Sequence, residues 1–199
     1  MSLELVNTIA TMMTVLIVAA TAVAALVQLR HLRASNQITA MISIGAKIQD
    51  EAFVNAGELA NVKLAAALGD PKFRDYVISL RRGTPVADVD PAFIQLRRAA
   101  TNVGNTYEEL GILVKNGIVD DEMFLDRYCG VLIRSWHVLE KYTAFIRELS
   151  GDAGLWEHFE LVTVMSEDWL RDHPTSYPKG FRRLPLHNDW PIPPASATS

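Results

Sequence analysis

The longest hydrophobic pattern in this chain is an uncharged run from Leu5 to Leu29, preceded by Glu4 and followed by the basic residues Arg30 and Arg33. A helix needs roughly 20 mostly apolar residues to cross the hydrocarbon core of a bilayer, and this run is longer. Its threonines are tolerated because a hydroxyl can donate to a carbonyl one helical turn back. The run therefore predicts a transmembrane helix.

Two alternatives for this run are a cleaved signal peptide and the core helix of a soluble protein. A signal peptide has a basic start and a short apolar core, whereas this chain begins with Glu4 and a longer apolar run. Only the small residues at Ala22 to Ala25 resemble a cleavage site. The pattern therefore favours a retained anchor.

The charges beside the run predict its orientation. Arg30 and Arg33 flank the predicted span on one side, and no lysine or arginine precedes it. Positive charge next to a span stays on the cytoplasmic side. We therefore expect an inner-membrane protein with its N-terminus outside and the chain from about Arg30 in the cytoplasm. The lone cysteine, Cys129, is compatible with that compartment and is interpreted as buried filler.

Downstream, the hydrophobic spacing changes to the three-four alternation of a helix in a bundle. A first helix starts at Asp90-Pro91, where aspartate caps and proline takes the first position, and it ends at Asn116-Gly117. A second helix is capped by Asp120 and ends at Ser150-Gly151. The short turn between them predicts an antiparallel hairpin that places Tyr107 opposite Ser135.

Further helices are predicted on both sides of this hairpin. A third bundle helix runs from about Gly154 to Arg171, and a short one runs from Pro71 to Leu80. The stretch from Asn36 to Leu68 continues the anchor helix and bends near Gln49-Asp50. The positions that support this helix are Ile38, Met41, Gly45, Ile48, Ala52, Leu59 and Val62. Residues 82 to 90 are expected to form a surface loop.

The tail after Pro174 holds five further prolines and is expected to be extended. It is interpreted as a strap that packs on the bundle up to Trp190, with a polyproline ligand for a partner as the alternative. The predicted fold is all-α, without an alternating strand pattern. Its parts are an anchor over 1–33, a bundle over 34–173 and the extended tail over 174–199.

Composition narrows the class of function. The formal net charge is only −4 and the arginine doublets are scattered, which argues against a nucleic-acid-binding surface. No glycine-rich phosphate loop, nucleophile elbow or catalytic triad pattern is present, so no catalytic residue, metal ligand or cofactor is predicted. The narrow apolar stripes also argue against a carrier of hydrophobic ligands.

One metal hypothesis remains open as an alternative. His137 with Glu140, and His158 with Glu157 and Glu160, each combine a histidine with carboxylates on one helix. Two such clusters would form a metal site if the helices brought them together, as in di-metal bundles. Exposed helix faces contain the same residues, so this hypothesis ranks below a solvated surface.

The densest polar and aromatic group lies on the predicted hairpin. A Glu108–Arg134 ion pair and a half-buried Trp136 are expected to fix the helix register. Tyrosine, tryptophan and arginine are also common in interface hot spots. The candidate interaction residues are therefore Tyr107, Arg134, Trp136 and, in the tail, Trp190.

The segment Tyr107-Glu108-Glu109-Leu110-Gly111, continuing through Asn116-Gly117 to Asp120, supports a family resemblance together with Trp136 and Trp156-Glu157-His158-Phe159-Glu160. This pattern resembles the bacterial proteins catalogued as domain of unknown function 4760. The resemblance covers about Asn36 to Asp172 and implies a helical cytoplasmic domain on one anchor. It implies no catalytic residues.

These patterns together predict a non-enzymatic, single-pass membrane protein whose partners are the lipid bilayer and another protein. The expected role is that of an accessory subunit or scaffold of a membrane complex. Self-association is the competing interaction hypothesis, since the Ala20/Ala24 and Thr21/Ala25 spacings let two anchors approach closely. The alternative in another class is a membrane-tethered effector or metal-dependent enzyme with a site around His137 and His158.

Overall fold

The computed structural model describes residues 2–84 and 88–190, and these residues contain six α-helices and no strand. The all-α prediction is confirmed. The helices are α1 (Leu3–Ile48), α2 (Glu51–Gly69), α3 (Pro71–Arg82), α4 (Pro91–Lys115), α5 (Asp121–Ser150) and α6 (Glu157–Asp172).

Helix α1 is 46 residues long, and its apolar part is fully exposed within the chain. Thr8, Thr11, Thr14 and Thr21 each donate to the carbonyl four residues earlier, as predicted. The helix is long and apolar enough to cross a membrane, although a signal sequence near an N-terminus has the same properties. Only its last turns reach the core, where Ile44 is buried.

An aspartate caps the start of four of these helices. Asp50 accepts from the backbone of α2, Asp70 from α3, Asp90 from α4 and Asp120 from α5, at distances of 2.8 to 3.3 Å. Such caps satisfy N–H groups that the first helical turn leaves without partners. The predicted caps at Asp90 and Asp120 are therefore confirmed, and the bend predicted near Gln49-Asp50 is a break between two separate helices, α1 and α2.

Helices α2, α4, α5 and α6 form the bundle. Helices α2 and α6 each pack against both α4 and α5, while α4 and α5 touch each other less extensively. The hydroxyls of Tyr107 and Ser135 lie 3.3 Å apart, which confirms the predicted register of α4 on α5. At the centre of the core, the Tyr107 ring stacks on Phe159 with 4.8 Å between centroids and meets the edge of Phe53.

Three details differ from the sequence predictions. In α2 the buried side chains are Phe53, Ala56, Ala60, Leu64 and Ala67, whereas Ala52 and Val62 of the predicted pattern are exposed, because α2 restarts after Asp50 with its own phase. In α1, Ile38 is also exposed. Helix α6 begins at Glu157 and not at Gly154, because Trp156 adopts a left-handed backbone.

The tail contains neither helix nor strand over residues 173–190, and every one of these residues is exposed. The interpretation as a strap packed on the bundle is therefore wrong, because neither Tyr177 nor Trp190 is covered. Tyr177 contacts the tail itself, donating to the carbonyl of Arg182 at 2.8 Å. The end of the predicted extended tail, residues 191–199, and part of the predicted 82–90 loop, residues 85–87, lie outside the described residues.

Candidate functional site

Glu108 on α4 closes the N-terminus of α6 from a neighbouring helix. Its Oε2 accepts from the backbone N–H groups of His158 and Phe159 at 2.9 and 3.0 Å, and its Oε1 lies 2.7 Å from His158 Nδ1. A helix N-terminus presents unpaired N–H groups and a partial positive charge, both of which favour a carboxylate. Glu108 therefore caps α6 in place of a residue of α6 itself.

His158 links this cap to Lys115 at the end of α4. The Lys115 ammonium lies 2.8 Å from His158 Nε2. An ammonium has only donors, so these partners assign Nε2 as the acceptor and leave the ring proton on Nδ1, where it donates to Glu108. The half-buried imidazole is thus held between a carboxylate and a cation, with both nitrogens engaged.

Two glycines let α4 and the start of α6 approach each other closely. A Cβ at Gly111 would overlap the backbone carbonyl of His158, and one at Gly104 would overlap the Trp156 indole. The same indole donates from Nε1 to Asn105 at 2.9 Å. Trp156 itself has a φ of 58°, which non-glycine residues seldom adopt.

The residues that carry the family resemblance therefore meet at one place. The segment from Tyr107 to Gly111 packs against the segment from Trp156 to Phe159, and these two segments form the junction of α4 and α6. Glu108, His158 and Lys115 satisfy one another there. The polar groups of this cluster attach α6 to the bundle, so the role of the cluster is structural.

Of the predicted interaction residues, Tyr107 is not available to a partner, because its side chain is fully buried. Burial raises the pKa of its hydroxyl above the usual 10, while the Ser135 hydrogen bond and the Arg134 charge act in the lowering direction. The prediction of an interface tyrosine is therefore wrong. Tyr107 is a core residue with one polar atom.

Arg134 and Trp136 lie on α5 in different surroundings. Arg134 is exposed, and the predicted Glu108–Arg134 ion pair is absent because the N-terminus of α6 engages Glu108 instead. Trp136 is half-buried as predicted, with its ring edge on Phe159 and the Arg147 guanidinium over its face.

The remaining candidate residues from the sequence, Trp190, Arg30 and Arg33, lie away from the bundle core. Trp190 is 82% exposed in the tail, where it remains accessible to a partner. Arg30 and Arg33 are exposed on α1, immediately after the apolar run.

The two histidines of the metal hypothesis do not form one cluster. His137 faces Glu140 on the surface of α5, with 3.6 Å between Nδ1 and Oε2. His158 has both ring nitrogens engaged by Glu108 and Lys115. Within residues 2–84 and 88–190, no group of three or more histidine, cysteine or acidic side chains is placed to hold a metal ion.

A groove between α1 and α5 was not predicted from the sequence. It has a volume of about 720 Å³ and is lined by Ile38, Met41, Ile42 and Met123, with Asp126 and Arg127 at its edge. Ile38 and Met41 both belong to the helix predicted over Asn36 to Leu68, and Met41 also packs against the core. In the structure these residues form an apolar face of α1, and Ile38 and Ile42 on it are more than half exposed.

Comparison with known proteins identifies a family and no individual relative. No curated protein and no solved structure matches this chain. The family described as Domain of unknown function (DUF4760) matches residues 15–164, which include α2 to α5, the first half of α6 and both sides of the α4–α6 junction. Because this match covers most of the chain, the protein belongs to the DUF4760 family.

Proposed function

We propose that this protein is a single-pass inner-membrane protein whose cytoplasmic bundle binds a protein partner and catalyses no reaction. The observation that supports this function is the apolar groove between α1 and α5, which lies on the helix that also carries the predicted anchor. The partner is a membrane protein or a protein held at the same membrane, to which this chain is an accessory subunit or scaffold.

The position of the groove favours a protein partner over lipid. Ile38 lies nine residues beyond Leu29, the last residue of the apolar run, which corresponds to about 13 Å along the helix. Each headgroup layer of a bilayer is only about 5 to 8 Å thick. A groove at this height lies above the lipid when α1 stands upright in the membrane.

The shape and chemistry of the groove suit an amphipathic helix. Two helices border it, and flexible methionines, Met41 and Met123, form part of its apolar surface. Methionine adapts to many partner shapes, and helix-in-groove recognition uses apolar side chains spaced by helical turns. Arg127 and Asp126 at the edge offer one charge of each sign to fix the register of the partner.

The orientation of the proposed anchor follows from Arg30 and Arg33. Both lie directly after the apolar run, and basic residues at that position remain in the cytoplasm. In the proposed orientation, the bundle, the groove and the exposed Trp190 lie on the cytoplasmic side. The tail around Trp190 is then accessible to the same partner or to a second one.

Site-specific crosslinking in native membranes tests the partner. A photo-reactive amino acid at Ile42 samples the groove, and the same residue at Val164 on α6 is a matched control at an exposed apolar position away from it. We expect a discrete crosslinked product from position 42 only, with one partner protein identified by mass spectrometry.

Other outcomes would contradict the proposal. Equal crosslinking from both positions would indicate nonspecific encounters, and no product from position 42 would remove the groove as a docking site. A crosslinked dimer of this chain would instead support self-association. In that case Ala20→Leu with Ala24→Leu tests whether the anchors contribute, because larger side chains prevent close helix approach.

A further inference from the structure

A second cavity, separate from the α1–α5 groove, opens between α2 and α5 over the face of α4. Its volume is about 300 Å³, comparable with about ten water molecules and with the lower range of small-molecule sites. Its walls are mostly apolar and include Val54, Val103, Val131, Val138 and Leu139. A cavity of this composition favours a ligand with an apolar body.

Polar side chains line the cavity on both sides, with Glu58 and Asn61 on α2 and with Arg134 and Ser135 on α5. Ser135 Oγ donates to the Tyr107 hydroxyl at 3.3 Å, so that bond does not use the hydroxyl hydrogen of Tyr107. Arg134 also lines the cavity, and its charge acts on the Tyr107 hydroxyl. Among the described residues, no carboxylate lies within 4 Å of the Arg134 guanidinium. The α5 side of the cavity thus presents one positive charge that no described carboxylate contacts.

Gly57 leaves space for this cavity, although glycine lowers the helix propensity of α2. A glycine within a helix is about 1 kcal/mol less favourable than alanine. The backbone here does not require glycine, because Gly57 has no positive φ and an added Cβ would meet no atom within 4 Å. Residues that are unfavourable for their local secondary structure, with no structural reason, are common at functional sites. A side chain at this position would project into space that the cavity uses.

We propose that this cavity is a binding site for a small monocarboxylic acid with an apolar aliphatic or aromatic body. The carboxylate pairs with the Arg134 guanidinium, while the body fills the apolar part between α2 and α5. This site is independent of the proposed protein partner.

The charges at the cavity select a monoanion. A guanidinium fork matches the geometry of a carboxylate and can donate two parallel hydrogen bonds to it. Glu58 lies on the opposite wall, on α2, and repels ligands that carry more negative charge, such as a phosphate dianion. A neutral ligand of the same shape lacks the attraction to Arg134.

Binding is measured on the full-length chain in lipid nanodiscs, with empty nanodiscs as the blank. The probes are phenylacetate and hexanoate, and the neutral comparison is phenethyl alcohol. We expect both acids to bind with dissociation constants of about 1 mM or below, as seen by ligand-observed NMR, and the alcohol to bind about tenfold more weakly.

Variants connect the binding to this cavity. Arg134→Met keeps the exposed hydrocarbon stem and removes the charge, so acid binding should weaken at least about tenfold while the alcohol is unaffected. Gly57→Leu should abolish binding by filling the cavity. Gly69→Leu is the matched control, since Gly69 is on the same helix, has open space around it and does not line the cavity.

Each other result would overturn the site. No binding of either acid at concentrations of about 10 mM would exclude it, as would equal affinity for the acids and the alcohol. Unchanged binding to Gly57→Leu would place the ligand elsewhere. Thermal unfolding of both leucine variants shows whether they fold, and Arg134→Met tests the site without changing any buried side chain.

Discussion

Glu108 holds together two segments that are fifty residues apart in the sequence. Its two carboxylate oxygens engage three donors from His158 and Phe159, while only a fifth of its side chain is exposed. Hydrogen bonds to charged groups contribute about 1.5 to 3 kcal/mol each when measured by removal of a partner. The cap therefore makes the attachment of α6 depend on one residue of α4.

We expect Glu108→Gln to lower the free energy of unfolding by about 2 kcal/mol, because one amide oxygen cannot replace two charged acceptors. Glu109→Gln is the matched control, since Glu109 is exposed and adjacent, and it should change stability by less than about 0.5 kcal/mol. Chemical unfolding in mild detergent measures both. Equal effects of the two substitutions would show that the cap contributes no stability.

Gly111 and Gly57 should respond oppositely to the same substitution. In Gly111→Ala the new methyl group overlaps the His158 carbonyl, so α6 must shift, and we expect a loss of about 1 to 3 kcal/mol. In Gly57→Ala the methyl group meets nothing, and the gain in helix propensity should stabilise the protein by up to about 1 kcal/mol. Melting temperatures that move in the same direction would refute this contrast.

The buried tyrosines predict a loss of stability in alkali. Burial raises the pKa of Tyr107 and Tyr142 above 10.0, so the folded state retains their protons to higher pH than the unfolded chain does. Their contribution is complete below about pH 10 and is lost as the pH rises through the folded-state pKa.

Unfolding at about pH 8 and about pH 11 measures this loss. Tyr107→Phe and Tyr142→Phe should each reduce the difference in unfolding free energy between the two pH values. Tyr177→Phe, at an exposed tyrosine in the tail, should leave the difference unchanged. An identical difference in all three variants would mean that other groups cause the alkaline loss.

For single residues, interactions with near neighbours in the sequence were predictable, whereas interactions with residues of another helix were not. The caps at Asp90 and Asp120 follow from residues only a few positions away. The partner of Glu108 depends on where α6 lies, so the sequence pointed to Arg134 instead. The left-handed backbone of Trp156 also depends on the distant Gly104, which makes room for its indole ring.

Among the elements, the junction of α1 and α2 depends most on a single side chain. Asp50 Oδ1 accepts from the N–H groups of Ala52 and Phe53 at 3.0 and 3.3 Å, and α2 begins there with a new phase. We expect Asp50→Ala to destabilise the protein by about 1 kcal/mol and Asp50→Asn to retain nearly all stability, because asparagine caps equally well. Equal losses in both variants would indicate that charge, not capping, matters.

Element type was predictable along most of the described chain, because long amphipathic periods, prolines and glycines mark helices strongly. The phase of α2 was not predictable, since the stretch from Asn36 to Leu68 was treated as one continuous period across the break. Four of the buried positions of α2 are alanines or a single leucine, which give a weak periodic signal. The α1–α5 groove was not predictable either, because it depends on where α5 lies beside α1, which the apolar spacing of one helix does not specify.

For the whole molecule, cysteine labelling tests the proposed topology. Cys129 is the chain's one cysteine, so Cys129→Ala provides a background for Ser2→Cys and Ser176→Cys, which are exposed at opposite ends. A membrane-impermeant maleimide should label position 2 in intact spheroplasts and position 176 only after lysis. Reversed labelling would show the opposite orientation, and loss of position 2 from the mature protein would identify a cleaved signal.

In the proposed topology, the continuous helix α1 connects the bundle rigidly to the bilayer. The helix contains no proline, and from Leu29 to Ile48 it extends about 28 Å beyond the apolar run. A bilayer thinner than the span makes a helix tilt, and a tilt of about 20° would carry the far end of α1 sideways by about 10 Å. In this proposed arrangement, local bilayer thickness would determine how far the proposed partner lies from the axis of the anchor.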